Sequence, residues 1–425
     1  MTDHGQRSHA VWSASATARN VYCPGALTLS LLAPPQKSSI FADTGTAGHQ
    51  IAERCLRNGG DAVDYLGTVE KTKDHDITVD EDLVNSAQEY IDYCRDRMKA
   101  LGGVETGEHQ HWLEERFSLE ALNPPFEAGG TGDFILFSAV HKNLEIIDFK
   151  NGRGVVDAKE NPQLRTYALG ALLAHQDLDV DTVTVTIVQP RAAHKDGRIR
   201  SETFHVADLI AWTADLLKAM GRSKAAMDAY EKAKTNSVLM DEWADEWLRP
   251  GKCTFCPAEA TCPALRKKAL AVAAVWFEPE TGEAKIGNLP NEMSPEKLAE
   301  TLDMLDMLEA WVKAVRAYAH TQAENGVTIP GYQLAEKIGN RKWKADEAAT
   351  AVSLLSPEIG LSEDEIYERK LRSVAQLEKV LGAKRKSLVE DLWERPITGT
   401  NLVSQARTTR PPAKPKAETY FEPQD

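Results

Sequence analysis

The densest hydrophobic signal sits mid-chain, in two short runs, Phe134-Ile135-Leu136-Phe137 and Leu144-Glu145-Ile146-Ile147, with a polar stretch between them. Runs of this length bounded by turn residues are strands, and their spacing makes a hairpin. Trp112 to Leu119 alternates apolar and polar and ends before Asn123-Pro124-Pro125, so it reads as a strand ahead of the hairpin. The β-branched run Thr182–Val188 reads as a strand behind it. Around these strands the period changes to that of helices. Helices are expected from Ser13 to about Cys23, from Ala42 to Leu56, from Asp82 to Leu101, from Pro162 onward, and over Val206–Lys234. Leu83, Ala87, Tyr90, Ile91 and Cys94 fall on one helical face, and Pro162 suits a first turn.

The last third has a different texture. Ser294 is an N-cap followed by Pro295 and Glu296, and Leu298, Leu302, Leu305, Leu308, Val312 and Val315 form one stripe of a long helix ending near Gly326. Such a stripe is most often packed inside or against an antiparallel helix. Two further helices are expected near Asp346–Leu355 and Ser373–Leu381. The expected organisation is a flexible leader over 1–10, a domain over 11–276, a helical accessory domain over 277–398 and a disordered tail over 399–425.

Composition narrows the class. Of 425 residues, 42% are hydrophobic and 27% charged, as in ordinary globular proteins with room for two or three domains. No apolar stretch approaches membrane-spanning length and the N-terminus has no signal-peptide core, so a cytoplasmic protein is expected, with no membrane partner. A net charge of −14 argues against a general nucleic-acid coat but leaves room for a local basic channel. Basic clusters at Arg191–Arg200, Lys337–Lys344 and Lys384–Lys386 read equally well as solvated loops. No phosphate loop of the Gly-x-x-x-x-Gly-Lys-Ser/Thr type is present, which excludes that kind of motor.

The hairpin carries the chemistry. Gly130-Thr131-Gly132-Asp133 opens its first strand and Asp148-Phe149-Lys150 ends its second. Asp148 and Lys150 are two apart on a strand and share a face; pairing of the strands adds Asp133. Two close carboxylates ask for a hard divalent cation, and a lysine beside it can orient or deprotonate water or neutralise phosphate charge. Glu114 and Glu115, on the preceding strand, are candidates to touch that metal, although solvated carboxylates facing outward are commoner.

His49 after Gly45 and Gly48, the G-x-x-D of Gly130–Asp133, the D-x-K of Asp148–Lys150 and the Q-x-x-x-Y of Gln163–Tyr167 occur in an order and spacing that resembles the RecB-like branch of the PD-(D/E)XK nuclease superfamily. The resemblance covers about residues 10–265 and implies an α/β fold: a restriction-endonuclease-like mixed sheet flanked by helices, here followed by a mainly helical C-terminal unit. That second unit is similar, more loosely, to an uncharacterised and mostly phage-encoded branch. The resemblance implies that His49, Asp133, Asp148 and the Phe149 carbonyl hold Mg²⁺ or Mn²⁺. It implies that Lys150 positions the attacking water, that Gln163 and Tyr167 support the site, and that Arg153, Arg165 and Tyr167 contact DNA.

Six cysteines without an export signal are not a disulfide framework. Cys253, Cys256 and Cys262 lie close together and point to a metal site, zinc or iron–sulfur. Cys23, Cys256 and Cys262 each precede a proline, a step suited to turning a thiolate out of the chain. One cysteine before the core and three after it resembles the iron–sulfur exonucleases of the same branch, which include the CRISPR-adaptation and AddB-type enzymes. That resemblance implies a structural [4Fe–4S] cluster on Cys23, Cys253, Cys256 and Cys262. Cys55 and Cys94 read as buried or free thiols and stand as substitutes for Cys23 should it prove remote.

The expected function is a metal-dependent DNA exonuclease acting on single- or double-stranded ends, in phage replication, recombination or end processing. A recombination or single-strand-binding protein is a candidate partner of the C-terminal unit. The rival is a catalytically silent DNA-binding or recruitment subunit on the same fold, its cysteines holding zinc. Tyr332, Arg341, Lys342 and Trp343 suit stacking on single-stranded DNA, or a packed hairpin, about equally.

Overall fold

A computed structural model describes residues 10–34, 37–101, 109–276 and 293–335, with isolated positions between 351 and 392. Residues 1–9, 336–350 and 373–381 and the chain after 392 lie outside the described residues, so the expectations for the leader, the helix near Ser373–Leu381, the start of the helix near Asp346–Leu355, the tail, the last two basic clusters and Arg341–Trp343 fall there, while Ala351 and Val352 are helical as expected. The chain divides into two units, 1–321 with 402–425, and 322–401.

A mixed sheet flanked by helices forms the first unit, and the described chain beyond it is helical. Among the described residues the strands are β1 Trp12–Ser13, β2 Val69–Lys71, β3 Asp76–Thr78, β4 His109–Ser118, β5 Ala128–Ser138, β6 Asn143–Phe149, β7 Thr182–Val188 and β8 Ile199–His205. The central ladder β4–β5–β6 is antiparallel, β6–β7 is parallel and β7–β8 antiparallel; β2 and β3 form a separate ribbon.

The helices are α1 Thr17–Tyr22, α2 Ala26–Leu32, α3 Ile40–Asn58, α4 Glu81–Ala100, α5 Pro162–Ala174, α6 Val206–Ala233, α7 Ser237–Trp247, α8 Pro263–Trp276 and α9 Pro295–Glu324. Their starts are set by local chemistry. Asp80 accepts from Leu83 N–H at 2.8 Å, Asn161 from Gln163 N–H at 2.9 Å, and Ser294 from Lys297 N–H at 3.3 Å. Each satisfies a donor the helix itself leaves open.

Because strand residues alternate, the sheet has two cores. Ile135, Phe137, Leu144, Ile146, Val183 and Val185 pack with α5 and α6 on one face. Phe134, Leu136, Ile147 and Phe149 pack with α3 and α4 on the other, where Cys55 and Cys94 are buried as expected. The stripe on α9 behaves otherwise: Leu302, Leu305, Val312 and Val315 are exposed, and no core cluster among the described residues takes them in.

What positions the site is a break in strand pairing. One edge of β5 is covered by β4 from Gly129 to Ser138. The other edge is shared: β1 pairs at Ala128 and Gly129, β6 at Phe134 to Ser138. Between them Gly130–Asp133 has no strand partner on that edge among the described residues, and a cleft opens there.

Candidate active site

The cleft has a volume of about 320 Å³, with Gly129–Thr131 and Asp133 as its floor, Ser13–Ser15 on one wall, and His49, Glu114, Arg116 and Tyr167 among its lining residues. Gly130 needs its missing side chain: a Cβ would lie 3.0 Å from Ala14 and 3.2 Å from both Phe117 and Tyr167.

Register brings three carboxylates into one row. Leu113 pairs with Phe134 and Glu115 with Gly132, which sets Glu114 opposite Asp133. Phe134 pairs with Ile147, so the next step sets Asp133 opposite Asp148. Glu114 adopts a left-handed backbone (φ 50°) in the middle of β4. Strain of this kind in a strand interior belongs to functional positions more than to structural ones. The expectation that Glu114 faces solvent is therefore corrected. Ligand atoms of His49, Glu114 and Asp133 lie within 4.8 Å of one another. Glu115 does turn away, to His175 at 2.9 Å.

His49 reaches this row because α3 sits close to β6. A Cβ on Gly48 would be 3.0 Å from the Phe149 ring, and the His49 imidazole packs edge-on against that ring with centroids 5.2 Å apart. Its Nδ1 is 3.5 Å from Asp133 Oδ2 and 3.8 Å from Glu114 Oε1. Asp133 Oδ2 also accepts the Phe149 N–H at 2.8 Å, replacing the backbone acceptor that the parting of β5 and β6 removes. Lys150 donates to Asp148 Oδ1 at 3.1 Å, and its ammonium is 2.9 Å from Oδ2. Gln163 Nε2 donates to the Tyr167 hydroxyl at 2.6 Å, which leaves the phenolic proton for an acceptor in the cleft.

The electrostatics are those of acids crowded together. Burial raises Asp133, against the opposing pull of His49, with Glu114 adding to the rise. Burial raises Asp148 to about 6, although Lys150 opposes it, and Asp133 adds repulsion. Burial would lower His49, but Asp133 and Glu114 outweigh it and hold the imidazole up at about 9. Burial pushes Tyr167 well up, reinforced by Asp148 and Asp133. Protons on such groups fill the place of a counter-ion. The donor set within ligand spacing, the Glu114 and Asp133 carboxylates and the His49 imidazole, fits a single hard dication, with Asp148 next in the row.

The basic residues fare differently. Arg153 is exposed on the loop after β6. Arg165 is engaged by Glu202 at 3.5 Å and stacks over Phe204 at 5.0 Å. In the cluster read as solvated, Arg200 is buried and donates to Val156 O and Gln189, while Arg191 faces Asp82 and Arg198 faces Glu89. Arg116, which no motif marks, is the arginine that lines the cleft.

The four cysteines singled out by sequence meet at one small cavity lined by Cys23, Cys253, Cys256 and Cys262. All are free thiols. Burial raises Cys23, Cys253 and Cys262, and neighbouring thiols add to each rise. Arg249 N–H points to Cys23 Sγ at 3.2 Å, tying the N-terminal segment to the end of α7. Thiols gathered from both ends of the domain, without disulfides, fit a thiolate-bound metal group. Among the described residues no three of these sulfurs fall within 4.8 Å of one another. Four thiolates on one zinc at ~2.3 Å would stand ~3.8 Å apart.

A family model described as "Protein of unknown function (DUF2800)" matches residues 9–410. A solved structure titled "Crystal structure of SSO0001" is 12% identical and covers 59% of this chain and 95% of that one, with a TM-score of 0.19, too low to carry an argument. Neither description names a nuclease. No helix among the described residues is long and apolar enough to cross a membrane.

Proposed function

The chain belongs to the DUF2800 family, and from its cleft we propose that this member is a metal-dependent DNA exonuclease of the PD-(D/E)XK, RecB-like kind. One observation carries the reading: His49, Glu114 and Asp133 converge on an open cleft where β5 loses its strand partner, with Asp148 and its Lys150 opposite Asp133 on β6. Structural ion pairs rarely concentrate three acids in one row beside an opening.

His49, Glu114, Asp133 and Asp148 would hold Mg²⁺ or Mn²⁺, with the Phe149 carbonyl as a further oxygen donor. When bound, that ion supplies polarisation of the scissile phosphate and a lowered pKa for water. The protein's own groups do the rest. Asp148 holds the Lys150 ammonium at the end of β6, from where it orients water and offsets phosphate charge. Gln163 fixes Tyr167, whose phenol is placed to donate to a phosphate oxygen. Glycine at 129 and 130 lets Phe117, Ala14 and Tyr167 pack directly against this strand beside the cleft. Cys23, Cys253, Cys256 and Cys262 would hold a [4Fe–4S] cluster as a cross-link, a reading supported by their meeting at one cavity as free thiols. The motif resemblance of residues 10–265 to RecB-like nucleases supports work on DNA ends in replication or recombination.

The test is degradation of end-labelled single- and double-stranded DNA with Mg²⁺ or Mn²⁺, with and without blocked ends, by anaerobically purified protein and its Asp148→Ala variant. Degradation that needs the ion, a free end and Asp148 supports the reading. Equal results from the two proteins sink it in favour of a silent DNA-binding subunit.

A further inference from the structure

Phe255 lies between two of the clustered thiols, in Cys253-Thr254-Phe255-Cys256, with left-handed backbone (φ 61°) and 90% exposure. Both facts run against side-chain physics. Glycine takes a left-handed turn position without strain, whereas a bulky side chain does not. An exposed phenyl ring gains nothing from burial. The fold nevertheless fixes the backbone beneath the ring, because Arg19 Nη1 donates to the Phe255 carbonyl at 3.1 Å. Three residues along the same face of α1 stands Tyr22, 44% exposed, with the Lys252 ammonium 5.9 Å from its ring centroid. Arg249 and Lys252 are exposed beside it. Arg19 thus ties the Phe255 loop to the helix that carries Tyr22, and Arg19, Arg249 and Lys252 line one cavity of a chain whose net charge is −14.

The chain leads from the cleft to this region through α1. Ser13–Ser15 line the cleft, α1 starts at Thr17, and Arg19 lines the cysteine cavity. Six helical residues span ~9 Å, about three nucleotide steps at ~3.4 Å per step.

We propose that Phe255 and Tyr22, flanked by Arg19, Lys252 and Arg249, form a stacking platform for the bases of a single DNA strand that runs on to the carboxylate cleft. The direction of the strand rests on the nuclease reading; the binding does not. Every base has a face that stacks on an aromatic ring, and the cations take the phosphates, so the platform is indifferent to sequence. A blunt duplex presents no unstacked base and does not use it.

The experiment compares Phe255→Gly, Phe255→Trp and Lys252→Gln with wild-type full-length protein. Binding of a fluorescein-labelled oligothymidylate of about 12 nucleotides is followed by anisotropy without divalent ions, beside a blunt duplex. Phe255→Gly removes the ring while relieving the backbone, so the thermal midpoint holds or rises while oligothymidylate affinity falls about tenfold. Phe255→Trp keeps the affinity, Lys252→Gln makes the salt dependence shallower, and duplex affinity is unchanged by Phe255→Gly. Wild-type failure to bind the oligonucleotide, unchanged binding by Phe255→Gly, or equal loss on both DNAs overturns the platform. Mg²⁺-dependent degradation is measured in parallel. Intact hydrolysis without a Phe255 effect rejects the platform alone, and a Phe255 effect without wild-type hydrolysis rejects the nuclease reading alone.

Discussion

The carboxylate cleft and the cysteine site both crowd groups that repel when ionised, and they do so by opposite means. In the cleft the acids are neighbours across β4, β5 and β6, and their counter-charges are built in: Lys150 on Asp148 and His49 near Asp133. A backbone N–H from Phe149 further anchors Asp133. At the cysteine site the ligands come from chain segments on either side of the sheet domain, Cys23 from the N-terminal part and the other three from beyond α7, and burial raises Cys23, Cys253 and Cys262. Its apolar support is small, with Ala233, Trp243, Ala244 and Leu248 as the buried members. The sheet site should therefore hold its shape without an ion, whereas the cysteine site needs a cross-link to hold the N-terminal segment against α7. A cross-link closing so long a loop acts on stability, not on chemistry.

The sharpest way to break this contrast is Asp148→Ala. It should reduce Mg²⁺-dependent DNA hydrolysis at least about 10³-fold while iron content stays at the wild-type level; loss of both together would mean that the two sites are not independent. Cys23→Ser should do the reverse. Visible absorbance and iron content fall, and stability drops by about 3 kcal/mol, read as a thermal midpoint lower by roughly 6–12 °C, with residual hydrolysis below that midpoint. An unchanged midpoint would remove the stapling role.

Gly170→Ala probes what stiffens the cleft. A Cβ there would lie 1.9 Å from the Phe117 ring, which lines the cleft. Overpacking should cost about 1–3 kcal/mol in urea unfolding and impair hydrolysis without loss of iron. The mildest change is Glu114→Gln, which should raise the Mn²⁺ concentration for half-maximal activity about tenfold; no change would return Glu114 to the role of a bystander in its strained turn.

How much of this was legible in sequence follows from how local each signal is. Asp133, Asp148 and Lys150 belong to one hairpin, so a period of two and a short turn already bring them together. Glu114 was ranked below a solvated carboxylate because nothing in sequence announces a left-handed residue inside a strand. β8 carries no strand signal in sequence because Ile199–His205 is largely polar, as befits a strand with one neighbour among the described residues. Arg200 looked like part of a basic loop, yet it is buried, and with Gln189 it braces the stretch after Lys150: Gln189 Nε2 donates to Gly152 O and Gly154 O, and Arg200 to Val156 O. The α5 reading held to its first residue, since Asn161 and Pro162 are local start signals.

Residue order alone determined the central strands β4 to β7, most helices, Asp133, Asp148 and the thiol inventory, because those rest on spacing along a few turns of chain. Tertiary structure decided which acids meet. The edge of β5 lies open only because β1 and β6 part there, and Glu114, His49 and Tyr167 arrive from three other elements. It likewise chose Cys23 over Cys55 and Cys94, which the second core buries away from the other thiols. The physical reason is the same in each case: strand register and helix docking are set by packing over distances that no local pattern encodes.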